Sequence, residues 1–300
     1  MANPLITIGI PVYNEEKYIA ATIESAITQS YQNIRILISD NCSTDSSFEI
    51  IKEFAARDGR ITYIRHEKNI GAPQNFKYLL DQADTEYFCW LGGHDVFHSN
   101  YIAAAIEVLS AQKNVVMTYP ICRFVDTEGG FVDINGDDDW DTTNLPFEEK
   151  LHITAQKLIT CLSIHGVFRT KVLKKIPFKR IIAFDYLMLF ATAVYGNVKK
   201  IEKEYMFVRV IRKETRDEVL KRYIEQGVFK DDGQNPYIQL VYQHYLFLLK
   251  HLNLLYLRRN IRIFKKLEVV FQKRFYVQTE EIKQRFKLGF WKDFFAGNDL

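Results

Sequence analysis

Cysteine is scarce. The chain of 300 residues has four, Cys42, Cys89, Cys122 and Cys161, and no two stand at the CxxC spacing of a zinc or redox site. That argues against a disulfide framework and predicts reduced, mostly buried thiols, the usual state in the cytosol. Long apolar runs are missing too. Tyr186 to Val198 is free of charge for 13 residues, whereas a bilayer helix needs about 20. The stretch Val241–Leu257 is more apolar, but His244, Lys250 and His251 interrupt it. The opening MANPLITIGIPVYNEEK has no basic leader before its short apolar segment, so no signal peptide is expected. There is no internal repeat, low-complexity tract or groove-reading motif, and nucleic acid is not an expected partner. The expectation is a cytoplasmic, non-integral protein.

What is present suits a folded domain: 47% hydrophobic and 26% charged residues, with 22 Phe and 17 Tyr for a core. The net charge is only +3, yet it is unevenly spread. Residues 1–150 carry 11 Lys+Arg against 23 Asp+Glu, and residues 151–300 carry 29 against 14. An acidic half and a basic half point to different partners for each.

Over the first 120 residues, short β-branched or aromatic runs alternate with helical patterns. Strands are predicted at Ile6–Val12, Ile34–Ser39, Ile61–Arg65, Tyr87–Leu91 and Val115–Tyr119. Helices are predicted at Glu16–Gln29, Ser46–Arg57, Ala72–Ala83 and Asn100–Ala111, the first with Ile19, Ile23 and Ile27 on one face. This alternation implies βαβ units and an α/β fold with a mostly parallel sheet. Ligands of such sheets gather at the carboxyl ends of the strands. Attention therefore falls on Pro11–Glu15, Asp40–Asp45, His66–Gly71 and Gly92–Val96. Residues 123–147 read as a long polar loop with an acidic run at Asp137, Asp138, Asp139 and Asp141. Helices return at Phe147–Cys161, Asp185–Tyr195 and Arg216–Gly227. Two short strands, Val198–Ile201 and Tyr205–Arg209, fall between the last two.

The strings IGIPVYNEEKYIAATIESAI and NIRILISDNCSTDSS, then RITYIRHEKNIGAPQNF and EYFCWLGGHD, then FDYLMLFATAVYGNVKKI, follow one another in the chain. In that order they resemble the family 2 inverting glycosyltransferases, which use nucleotide-activated sugars. The resemblance covers roughly residues 5 to 212. It implies a GT-A fold, a Rossmann-like nucleotide-binding sheet flanked by helices. The expected organisation is a GT-A domain over residues 1–235 and a basic, aromatic-rich helical extension over residues 236–300.

The resemblance also implies roles. Pro11 ends the first strand because it lacks an amide donor, and Tyr13 offers a ring for a flat base. With Glu15 they form the turn that lies beside the nucleobase. Asp40 occupies the slot of a carboxylate that accepts the imide N–H of uracil or thymine, and Asn69 faces the nucleotide or makes a local turn. Gly92-Gly93-His94-Asp95 occupies the DxD element, which holds a divalent cation, Mn²⁺ or Mg²⁺, on the donor diphosphate. Only Asp95 keeps the acidic identity, so metal dependence is in question; His94 is a candidate Mn²⁺ ligand or a direct phosphate contact. The run at Asp137–Asp141 matches the acidic pattern of a metal site but lies away from any strand end, and it reads instead as a solvated loop, an acidic lid or an acceptor loop. Asp185 opens a helix where the family places its general base, an aspartate that deprotonates the acceptor hydroxyl; simple helix-end stabilisation is the competing reading. His165, Arg209 and Arg212 are candidate contacts to the acceptor or phosphate, against a plain role as surface cations for the arginines.

The reaction expected is inverting transfer of a sugar from a UDP- or dTDP-sugar to a hydroxyl of a saccharide or lipid-linked saccharide acceptor in surface polysaccharide synthesis. The eroded acidic element leaves an alternative, a non-catalytic nucleotide-binding or scaffold member of a polysaccharide assembly complex. Residues 236–300 carry 12 Lys+Arg against 5 Asp+Glu. Tyr245, Leu249, Leu252, Tyr256, Ile263, Leu267 and Val270 follow helical spacing. That segment reads as helices packed on the core, as a peripheral surface for anionic membrane, or as a self-association face. Oligomeric state is left open.

Overall fold

The computed structural model describes residues 3–134, 138–179, 181–211, 215–225, 228, 235–252 and 257–285. The strands are β1 (Ile6–Val12), β2 (Ile34–Asp40), β3 (Ile61–Arg65), β4 (Tyr87–Trp90), β5 (Val96–Phe97), β6 (Val115–Val125), β7 (Phe131–Val132), β8 (Val167–Arg169) and β9 (Asn197–Arg209). The helices are α1 (Ile19–Ile27), α2 (Ser47–Arg57), α3 (Ala72–Gln82), α4 (Tyr101–Ala111), α5 (Phe147–Lys157), α6 (Thr170–Leu173), α7 (Phe184–Tyr195), α8 (Arg216–Glu225), α9 (Ile238–His251) and α10 (Leu257–Phe275).

The chain forms two compact units. The first comprises Met1–Thr143, Thr160–Lys175 and Gly196–Lys213; the second comprises Asn144–Ile159, Ile176–Tyr195 and Glu214–Leu300.

The first unit is built on one sheet of strand order β3-β2-β1-β4-β8-β6-β9-β5, with β7 paired to β6. The strip β3-β2-β1-β4 is parallel throughout, in the register Ile8↔Ile36 and Ile8↔Cys89. β1 reads as an almost unbroken apolar run because both its faces are covered, as central parallel strands require. Ile6, Ile8, Ile10, Ile36 and Ile38 are all fully buried, each side chain contributing roughly 1.5–3 kcal/mol. Beyond β4 the sheet becomes mixed: β8 runs antiparallel to both β4 and β6, β5 runs antiparallel to β9, and β6 and β9 are parallel.

Five strands depart from the sequence expectation: β5, β6, β7, β8 and β9. β6 continues to Val125 and pairs with β7, inside the stretch read as loop. The two short strands after α7 are one long strand, β9, because continuous pairing to β6 carries the ladder across residues 202–204 with a register shift. The two-residue β5 and three-residue β8 are too short for periodicity to reveal.

The second unit is helical. α7 buries every residue from Tyr186 to Ala193. Among the described side chains of α10 the buried ones are Asn260, Ile263, Leu267, Phe271 and Phe275, so its inner stripe leaves out Val270. The face predicted to run on from Tyr245 is divided, since α9 ends at His251 and α10 begins at Leu257; Tyr256 lies outside the described residues. Within this unit Lys266 Nζ meets Glu148 Oε1 at 2.8 Å, and Phe271 packs edge-on to Phe190. No helix among the described residues is long and apolar enough to cross a membrane.

Candidate active site

At the carboxyl ends of β1, β2 and β4 the first unit opens into a cavity of about 190 Å³. Pro11, Tyr13, Glu15, Asn41, Asn75 and Phe76 line it together with Gly92, Gly93 and His94. Tyr13 is 45% exposed at its rim.

The loops after β1 and β2 are tied together by short side chains. Asn14 takes a left-handed backbone, φ 57°, which asparagine tolerates. Its Oδ1 accepts the N–H of Thr44, and its own N–H donates to Ser43 Oγ. Glu15 N–H donates to Ser47 Oγ, and Glu16 N–H to Asp45 Oδ2. Burial opposes ionisation of Asp45, but hydrogen bonds from Ser47 and Glu16 outweigh it and hold its carboxyl below the usual range.

Asp40 is completely buried. Its carboxylate accepts the N–H of Ser43 and lies 3.3 Å from Arg65 Nε. The side chain of this loop that lines the cavity is its neighbour Asn41, whose Oδ1 accepts Ile70 N–H and whose amide donates to Asn69 Oδ1. Asn69 also accepts the N–H of Gly71 in a local turn. Gly71 stands at φ 86°, a conformation costly for residues with a Cβ. Asn75 is a site-lining residue that the sequence reading passed over. It is 2% exposed, and both ends of its amide bond Ser39: Oδ1 accepts the hydroxyl and Nδ2 donates to the carbonyl. Its only sequence signal is a polar residue on the inner face of α3.

The turn after β4 is held from three sides. Asp95 N–H donates to Gly92 O, closing it. Thr22, buried in α1, places its hydroxyl 3.0 Å from Gly93 O and 2.9 Å from Asp95 O. Arg209 N–H donates to Asp95 Oδ1 at 2.9 Å, and Arg209 Nε donates to His94 O. The guanidinium of Arg209 also donates to Asp126 O and sits over the Tyr18 ring. It therefore braces this turn. Arg212 lies outside the described residues.

His94 Nδ1 bonds Glu15 Oε1 at 2.9 Å, and His94 Nε2 lies 3.9 Å from Asp95 Oδ1. Burial disfavours the imidazolium; the bond to Glu15 and the charges of Asp95 and Glu15 overcome it and raise the His94 pKa above its ordinary value. His165 is buried beneath the same turn, Nδ1 to Trp90 O at 3.1 Å and Nε2 3.7 Å from Asp95 Oδ2. Here burial prevails over the nearby Asp95 and lowers the pKa.

No three His, Cys, Asp or Glu side chains converge on a metal position among the described residues. His94 and Asp95 nevertheless form a fitting pair. A carboxylate to ring nitrogen is the bond that orients ligating histidines, and Mg²⁺ is commonly held by one or two carboxylates with substrate phosphates and water completing the shell.

Asp185 belongs to the second unit. It sits half-buried in the first turn of α7, with its Oδ1 accepting the N–H of Tyr186 at 2.9 Å. Ala183, the residue just before α7, has φ 53°, a conformation disfavoured for residues with a Cβ.

The family model for glycosyl transferase family 2 matches residues 7–177. The chain belongs to that family. An uncharacterized glycosyltransferase of Haemophilus influenzae is 34% identical over 129 residues, covering 43% of this chain and 51% of the relative. Glycosyltransferase GlyA of Streptococcus pneumoniae is 29% identical over 178 residues, 58% of this chain and 25% of the relative. The chain thus spans about half or less of the length of these curated relatives. Among solved structures, S. aureus TarS 1-349 in complex with UDP-GlcNAc aligns with a TM-score of 0.66 at 15% identity, over 95% of this chain and 75% of that one. Mannosyltransferase PcManGT from Pyrobaculum calidifontis, in complex with GDP-Man and Mn²⁺, aligns with a TM-score of 0.53 at 12% identity, over 98% and 83%. These neighbours share the GT-A fold.

Proposed function

We propose that this protein transfers a sugar, with inversion, from a UDP- or dTDP-sugar to a hydroxyl of a saccharide or lipid-linked saccharide acceptor in surface polysaccharide synthesis. The observation that carries this reading is the cavity at the strand ends of a family 2 chain, lined by Tyr13 and Asn41 together with Gly92-Gly93-His94. A base stacks on Tyr13 and meets Asn41. Asp40 acts through the loop it folds, since its oxygens are turned to Ser43 and Arg65. The diphosphate lies along the turn at residues 92–95. His94 and Asp95 would hold a divalent cation there, which supplies Lewis-acid stabilisation of the leaving diphosphate. Glu15 fixes the His94 ring, and Arg209 and Thr22 keep the turn in place. Asp185 is assigned as general base, taking the proton of the acceptor hydroxyl as its oxygen attacks the anomeric carbon. The complexes of TarS with UDP and UDP-GlcNAc support a uridine donor by analogy of fold.

A thermal-shift and calorimetric screen of UDP, dTDP, GDP and CMP, with and without Mn²⁺, tests the donor assignment, because a ligand of the folded form raises the midpoint. UDP or dTDP is expected to stabilise. Silence with all four removes the reading. Release of UDP from a donor sugar that is lost in Asp185→Ala separates an enzyme from a binding-only relative.

A further inference from the structure

The acidic run after β7 contains a buried carboxyl group. Asp138 is 1% exposed. Its Oδ1 accepts Thr160 N–H at 2.8 Å, the Thr160 hydroxyl at 3.0 Å and Cys161 N–H at 3.3 Å; its Oδ2 accepts Ser163 N–H at 2.9 Å and the Ser163 hydroxyl at 2.7 Å. The reading of this run as a solvated loop fails at Asp138, because five donors from a single turn replace water. Asp139 and Asp141 lie near Lys200 and Lys199, and Asp137 lies outside the described residues.

The turn that Asp138 grips is strained. Cys161 takes φ 59°, ψ 13°, a left-handed conformation worth of order 1 kcal/mol against a residue with a Cβ. The 3₁₀ turn Leu162–His165 follows directly and ends on a buried histidine. His165 is held at two points: its carbonyl accepts the Tyr101 hydroxyl, and its Nδ1–H donates to Trp90 O. Its Nε2 stands 3.7 Å from Asp95 Oδ2, in packing contact and beyond hydrogen-bond distance. A costly backbone conformation, stabilised by a buried carboxylate and delivering one ring to the turn that lines the cavity, reads as a device for placement.

We infer that Asp138 is a positioning residue for the phosphate end of the donor site: it folds residues 160–163 so that the His165 ring packs against the turn that carries Asp95. This rests on the nucleotide-sugar reading above. Its signature is a split between phosphate and base. Loss of Asp138 weakens whatever depends on Asp95 and leaves Tyr13 and Asn41 unaltered.

The test compares UDP with uridine, titrated in Mg²⁺ buffer by calorimetry and by NMR, on the full chain, on Asp138→Asn and on Ser163→Ala. The second variant removes one donor to Asp138 and the acceptor of the Trp140 indole N–H and keeps the backbone bonds, so it serves if the first does not fold. UDP is expected to bind about tenfold or more weakly to Asp138→Asn. For Ser163→Ala the expected loss is about threefold, roughly the effect of one weakened hydrogen bond. Uridine affinity is expected to stay unchanged in both. Equal weakening of UDP and uridine shows a merely structural role and overturns the inference, as does unchanged UDP affinity in a folded variant. If the unaltered protein binds neither, the nucleotide-sugar reading itself has failed, and the two failures are told apart by that control.

Discussion

The backbone N–H of Arg209 donates to the carboxylate of Asp95, joining the end of β9 to the turn after β4 across 114 positions of sequence. Asp95 is thereby fixed from a strand that enters the sheet last. The N-terminal βαβ strip alone leaves that turn without its brace.

Thr22 supports the same turn from beneath. Thr22→Val keeps the shape and leaves the carbonyls of Gly93 and Asp95 without this donor. The expected cost is about 1–3 kcal/mol, read as a lower urea midpoint at unchanged slope. An unaltered midpoint removes Thr22 from this role.

Gly92 tests how closely Asp95 is packed. A Cβ at Gly92 would stand 2.5 Å from Asp95 Oδ2, so Gly92→Ala has to push the carboxylate aside. UDP affinity is expected to fall about tenfold or more, with a far smaller change in thermal midpoint. Retained affinity would mean that the Asp95 carboxylate is not needed where it stands.

His244 governs acid stability of the helical unit. It is fully buried among Tyr186, Phe190 and Phe271, with Nδ1 on Leu240 O, and burial lowers its pKa to about 4. The unfolded chain binds the proton more readily, so this histidine favours folding fully above pH about 6.5 and progressively less as pH falls toward 4. The loss amounts to about 3 kcal/mol at the acid end. Denaturant titrations at a series of pH values should show that slope, and His244→Phe should flatten it. An identical slope in the variant would place the titrating group elsewhere.

Asp185→Asn preserves the size of the side chain and removes its basicity. Sugar transfer is expected to drop by about two to four orders of magnitude, while UDP binding stays within about twofold. Loss of UDP binding instead would assign Asp185 to the donor.

The α/β architecture was legible because β1 to β4 and α1 to α4 obey simple periods and their loops begin where strands end. The wall of the cavity was legible for the same reason, through Pro11, Tyr13, Glu15 and His94. Asn75 was hidden, because a polar residue inside a helix announces nothing until Ser39 is seen bonding both ends of its amide. Asp138 was misread, because composition cannot distinguish a carboxylate in water from one wrapped by a turn some 22 residues later. Asp40 shows the converse: its slot was visible in the sequence, but the burial that turns its oxygens to Ser43 and Arg65 depends on packing.

The chain passes back and forth between its two units, leaving the first after Thr143, returning at Thr160, leaving again after Lys175 and returning at Gly196. Neither unit is therefore a contiguous cassette. Ending the polypeptide at residue 235 would strip α5 and α7 of the Lys266 and Phe271 partners that α10 supplies. Exchange of donor-handling modules among relatives by a single crossover would have to carry the helical segments along with the sheet.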